Sequence, residues 1–301
     1  MTKINPRVDF AFKKLFGSEE NKDLLMAFVN AVLEPEEKIV ELTLKNPYTL
    51  KRFQQEKVSI FDIKAVAEDG RHLNIEMQIT DQLGYEKRAL YCWSKLYADQ
   101  IQEFVPYEAL RKTIGIHVLN FNLLDEPEYH NVFGVLNLNS KARTFTDLQL
   151  HTIEIKKCDG ELSHVKTALD RWVTFLKKSH EFGSRHGASP FQSDPHITKA
   201  IHVLDTLFLT DEERDIYEGR QTWLRDEEEA IRTAEVRGIE KGVEQGIELG
   251  LQQGLELGIE QGIQHGRLES QLMIARKMKA AGVDGDVIQQ MTGVSASDLL
   301  L

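Results

Sequence analysis

KVSIFDIKAVA at residues 57–67, EDG at 68–70 and RHLNIEMQI at 71–79 are the stretch on which the fold turns. The two outer segments are β-branched and alternating, and the tripeptide between them has the composition of a hairpin turn. In the first segment Phe61, Ile63, Ala65 and Ala67 are apolar, whereas Asp62 and Lys64 are not. In the second, Leu73, Ile75, Met77 and Ile79 are apolar, whereas His72, Asn74, Glu76 and Gln78 are polar. Both strands therefore bury their odd positions. For these to share a face the loop must hold an odd number of residues, and Glu68-Asp69-Gly70 fits with Gly70 in the left-handed conformation. That register sets Asp62 opposite Glu76. Directly opposed like charges with Cβ atoms about 5 Å apart destabilise a sheet, and a hard divalent cation would reconcile them. Two carboxylates with a neighbouring amide oxygen suit magnesium or manganese, which keep several waters and can take a phosphate oxygen. The plainer reading is an exposed hairpin face with scattered polar residues.

Outward from the hairpin, residues 7–33 place Phe12, Leu15 and Phe16 on one face, pause at Gly17-Ser18 and resume with Leu24, Leu25, Phe28, Val29 and Val32. This predicts two amphipathic helices with Ser18 as a cap. Tyr85 to Phe104 is helical in pattern. Residues 113–121, 131–137 and 150–156 read as strands, and helices are expected at about 164–180 and 196–208. Such an order implies an α/β domain over residues 1–223.

The remainder is different in kind. From Gly238 to Gly266 glycine stands at every fourth position, eight times in all. Four residues advance a helix by about 400°, so the stripe precesses by about 40° per repeat. Eight glycines at roughly 1 kcal/mol each oppose a lone helix by about 8 kcal/mol. Residues 224–269 are thus either a helix that packs closely on another copy or a flexible linker. Residues 270–301 have the rhythm of a small helix-turn-helix-like unit, for which DNA contact and simple packing are both open.

The net charge is −11, which at first opposes nucleic-acid binding. Between Leu224 and Glu269, however, eleven acidic residues face five basic ones, so most of the acidity lies in the repeat segment. No apolar run reaches the roughly 18 residues of a membrane span, and the N-terminus lacks the apolar core of a secretory signal. A cytoplasmic protein is expected. Cys92 and Cys158 form no metal or disulfide pattern, the histidines show no paired ligand spacing, and no phosphate loop of the GxxxxGK[ST] kind occurs, which removes zinc-protease and ATP-driven readings.

VDFAFKKLFG at 8–17, the Asp62 strand, IEMQ at 75–78, YEKRALYCWSKLYADQI at 85–101 and the glycine-periodic tail, in that order, resemble the Rpn family. These are recombination-promoting nucleases, also described as transposases, of the PD-(D/E)XK nuclease superfamily. Each motif alone is weak; their combination is specific, and the similarity runs over essentially the whole chain. The resemblance implies a mixed central sheet flanked by helices, with a metal site at one edge and DNA as substrate; a long Gly-periodic helix and a small helical C-terminal unit are expected to follow it, and the preferred reading is a metal-dependent DNA endonuclease of low sequence specificity linked to recombination or mobile elements. It implies Asp62 and Glu76 as metal ligands, with magnesium as cofactor and manganese or calcium as substitutes. Gln78 stands where lysine is usual, a departure the Rpn family shares, and glutamine can orient water but cannot act as a cation or base. Lys64 could supply charge from the same face. Asp9 is either a further catalytic carboxylate or an ordinary helix-opening residue, and Arg88 and Lys87 are candidate DNA phosphate contacts. The partners expected are DNA and further copies of the chain through the 238–266 repeat, without membrane or ATP. The rival reading is a nuclease fold that has lost catalysis and acts as a DNA-binding or assembly factor.

Overall fold

The structure is a computed structural model that describes residues 4–46, 62–81, 83–101, 106–178, 191, 194–206 and 209–295. Two compact units are present, Met1–Glu228 and Glu229–Leu301.

The first unit is built on a mixed six-stranded sheet, as expected. Its strands are β1 (Leu42–Leu44), β2 (Ile63–Ala67), β3 (His72–Gln78), β4 (Thr113–Leu119), β5 (His130–Gly134) and β6 (Leu148–Glu154), in the order β1-β2-β3-β4-β6-β5. The β3–β4 and β4–β6 pairs are parallel and the others antiparallel. The hairpin has the predicted register: Ile63 pairs with Ile75 and Val66 with His72, and Gly70 takes φ +87° in the three-residue loop. A side chain at Gly70 would be strained in that conformation and would crowd the Arg111 side chain at 3.1 Å.

Helices α1 (Asp9–Phe16), α2 (Lys22–Val32), α4 (Ala168–Lys178) and α5 (Pro195–Thr206) share a core with the odd-numbered face of β2 and β3. Rings carry much of it: Phe16 lies 4.9 Å from Phe12 and 5.5 Å from both Phe28 and Trp172, centroid to centroid. Two expectations are corrected here. Ser18 makes no side-chain capping bond, because the chain runs from it into a 3-10 turn at Glu19–Asn21 before α2 begins. The even positions of β3 are not an exposed hairpin face, for α3 (Tyr85–Ala98) packs over β3 and β4 and leaves Asn74 and Glu76 buried. A strand with parallel and antiparallel neighbours is central, and central strands of α/β sheets are covered on both faces. Strand β1 carries no alternation long enough to be read from sequence. The first part of the expected strand, 57–61, lies outside the described residues, as do 102–104, 179–180, 207–208 and the end of the C-terminal unit, 296–301.

Helix α6 (Asp211–Ala280) begins at a capping box: Thr210 Oγ1 accepts from the Glu213 N–H and Glu213 Oε2 accepts from the Thr210 N–H. Its first turns belong to the first unit. There Tyr217 is buried against Val8, Phe10 and Ala11, on the side of α1 turned away from the main core. In the second unit the helix continues unbroken through the glycine repeat, where Cβ atoms added at Gly238 to Gly266 would meet open space. The apolar residue after each glycine, from Ile239 to Ile263, is exposed. The helix ends before Gly282 at φ +81°, and α7 (Gly285–Thr292) folds back so that Ile288 and Val294 bury Ala275.

Candidate active site

Asp62 sits at a bend one residue before β2, a step beyond the Ile63–Ile75 pair, and so falls opposite Glu76 as the register requires. Its Oδ2 accepts from the Met77 N–H at 2.8 Å, which ties the carboxylate to β3. Burial raises the Asp62 acid to about 7; Lys13 opposes the shift, while the charges of Glu76 and Asp9 reinforce it. The carboxylates of Glu76 on β3 and Asp9 on α1 thus bear on Asp62, where β2 begins and β3 ends.

Glu76 is nearly enclosed. Its Oε1 lies 3.6 Å from Arg88 Nη2, and its Oε2 lies 3.2 Å from His117 Nδ1. The better aligned partner of that imidazole nitrogen is Tyr85 Oη at 2.9 Å, which leaves Glu76 Oε2 buried without a hydrogen bond; His117 Nε2, on the other side of the ring, is also buried without one. The negative field of Glu76 is felt nearby. After burial it is the next cause that lifts the Tyr85 hydroxyl well above its ordinary range, and that lifts the Cys92 thiol to about 11. Gln78 ends β3, donating from Nε2 to the Thr80 carbonyl at 3.0 Å and accepting from Arg88 Nη1 at 3.4 Å.

The other residues singled out from sequence are placed as follows. Asp9 is the first residue of α1; it accepts from the Phe10 N–H at 2.8 Å and pairs with Arg220 at 3.2 Å. Arg88 bridges Glu76 and Gln78, which puts it inside the site. Lys87, beside it on α3, is exposed. Lys64 lies on the same face as Asp62, and its charge, after burial and Lys45, helps hold the His72 imidazole below its ordinary range.

Three residues of the site escaped sequence reading. Lys13 is buried on α1 with Nζ 3.8 Å from Asp62 Oδ1. The signal was its position four residues after Asp9, on the same helical face. His117 and Tyr85 are fully buried beside Glu76, and the single polar side chain in IHVL at 116–119 marked His117 as the member of that run that would need a partner.

Among the described residues no group of three or more His, Cys, Asp or Glu side chains gathers at metal-binding spacing. The pair Asp62 and Glu76 nevertheless fits a hard cation. Glu76 Oε2 is a buried oxygen lacking a hydrogen bond, Asp62 is charged only against the cost of burial, and a cation that retains waters needs only one or two carboxylates.

A family model described as PD-(D/E)XK nuclease family transposase matches residues 6–234, more than half of the chain, including every residue named in this site. Comparison with curated proteins and with solved structures finds no match.

Proposed function

We propose, from the premise that this chain belongs to the PD-(D/E)XK nuclease transposase family, that it is a metal-dependent DNA endonuclease with little sequence preference, serving recombination or mobile elements as the Rpn nucleases do. The observation that carries the reading is the convergence of the Asp62 and Glu76 carboxylates where β2 begins and β3 ends, with burial first and then the charge of Glu76 raising the Asp62 acid against the pull of Lys13.

Asp62 and Glu76 would hold magnesium, with manganese or calcium as substitutes. What a divalent cation supplies when bound is a lowered pKa for water and compensation of charge on the phosphodiester. The chain's own groups do the rest. The Met77 N–H fixes one Asp62 oxygen, leaving the other to face the site. Arg88 holds Gln78 and Glu76 in one arrangement, and Gln78, whose amide is anchored on the Thr80 carbonyl, orients water or a phosphate oxygen by hydrogen bonding. Lys13 supplies the positive charge that glutamine cannot. Asp9 adds negative field, and Lys87 and Lys64 provide outlying contacts to the strand. The 238–266 repeat holds copies of the chain together through close helix packing.

The test is nicking of supercoiled plasmid by purified protein with magnesium, manganese or calcium, beside Asp62→Ala, Glu76→Ala and EDTA controls. Cleavage that needs metal and both carboxylates supports the reading; cleavage that survives Asp62→Ala sinks it. Gln78 favours one second reading, a DNA-binding or assembly factor without catalysis. In that case no cation gives cleavage, and Asp62→Ala leaves DNA binding intact.

A further inference from the structure

Beyond the carboxyl ends of the parallel strands β3 and β4 lies a cleft of about 340 Å³ that the hydrolytic residues do not use. Its floor starts where the site stops: Ile79 follows Gln78, and the Asn120 N–H donates to the Gln78 carbonyl at 2.9 Å. The crevice past the carboxyl ends of strands is where open α/β sheets take ligands, and this volume lies within the usual range of about 300–1,000 Å³.

The chemistry of the walls is specific. Arg7 enters from the segment before α1, its guanidinium held by the side-chain oxygens of Asn120 at 3.0 Å and Asn5 at 3.3 Å. Arg225 enters from the opposite wall on α6, with Leu224 beside it. Gln221, one turn earlier, donates to Tyr217 Oη at 2.8 Å, and the same hydroxyl accepts from the Asn5 N–H at 2.7 Å. The two walls are therefore cross-linked, so the cleft is formed before any ligand arrives. Against two guanidinium groups the lining sets a single carboxylate, Glu228, in a chain whose net charge is −11.

We infer that this cleft is a nucleotide subsite, which takes one nucleotide of the DNA strand next to the cleaved phosphate. Arg7 and Arg225 hold the phosphate as forked donors, the apolar surface of Ile79 and Leu224 receives the base, and the carboxamides of Asn120 and Gln221 face its polar edge. The inference rests on the endonuclease reading for its substrate class. Its own content is that affinity for the strand resides in a cleft separate from the carboxylates.

The experiment is fluorescence anisotropy of fluorescein-labelled hexathymidylate titrated with the full chain in EDTA, with plasmid nicking assayed in parallel. Arg225→Glu, on the exposed wall, should weaken binding at least 10-fold, about 1.4 kcal/mol. It should also flatten the salt dependence by roughly one phosphate contact, and Arg225→Lys should fall between. Thymidine monophosphate should displace the probe far better than thymidine or inorganic phosphate. Gln221→Leu is the second variant, with melting temperatures checked for each. Wild-type protein that does not bind the probe, variants that bind within two-fold of it, or inorganic phosphate competing as well as the nucleotide would each overturn the inference. The two readings separate cleanly. Arg225-dependent binding without cleavage under any cation leaves the subsite and removes the nuclease; cleavage indifferent to Arg225→Glu does the reverse.

Discussion

Lys13 Nζ lies 3.8 Å from Asp62 Oδ1, with both side chains largely withdrawn from solvent, so helix α1 delivers an amine to the carboxylate edge where β3 offers only Gln78. If that amine acts in cleavage, Lys13→Met should reduce single-turnover nicking at least 100-fold, and adding Gln78→Lys to it should restore part of the loss. A folded double variant with no recovery would confine Lys13 to balancing the charge of Asp62.

The raised acid of Asp62 has a consequence for stability. In the unfolded chain the group titrates near 3.9, and in the fold at about 7. Between those values the folded protein binds more protons than the unfolded one, so stability declines as pH rises from about 4 to 7 and is level above. Three pKa units correspond to at most about 4 kcal/mol. Thermal melts in EDTA should therefore find Asp62→Asn more stable than wild type at pH 8 and equal to it at pH 4. A variant no more stable at pH 8 would mean that Asp62 is better solvated than the fold implies.

Metal should act in the opposite sense. Magnesium or calcium at about 100 times its dissociation constant stabilises by about 2.7 kcal/mol. A melting shift of that kind, lost on adding EDTA, is expected for wild type and absent for Glu76→Gln. A shift of equal size in the variant would place the cation elsewhere.

Trp172 joins Phe16, Phe28 and Phe175 in the core between α1, α2 and α4. Trp172→Ala should cost about 3–5 kcal/mol in denaturant unfolding, and a cost under about 1 kcal/mol would mean that the helical layer collapses onto the gap.

At Gly250 and Gly254 an added side chain meets nothing within 4 Å in a single copy. Leucine at both positions should therefore preserve or increase helicity by circular dichroism. If copies pack through these glycines, the same change should lower the mass measured by light scattering; an unchanged mass would exclude the repeat as the contact.

The alternation of 57–79 was enough to yield the hairpin, its loop and the Asp62–Glu76 register, because a period of two leaves a single way to bury one face. Burial of the even positions was not legible, since it depends on where a separate helix lands: nothing within RHLNIEMQI announces that α3 will bring Tyr85 and Arg88 beside Glu76. Lys13 was visible as a lysine in an apolar helix, yet its closeness to Asp62 depends on how α1 packs against the sheet, a relationship about fifty residues apart in the chain. Strand β1, only three residues long, lacked the length to show a period. Family resemblance supplied what periodicity could not, the pairing of these carboxylates with a reaction.

Three successive grips join the base of α6 to the segment around α1: Glu213 to Lys14, Tyr217 to Asn5, and Arg220 to Asp9. They fasten the base of α6 to the short helix that bears Lys13. The amine beside Asp62 therefore stands on a helix that the first turns of α6 hold in place.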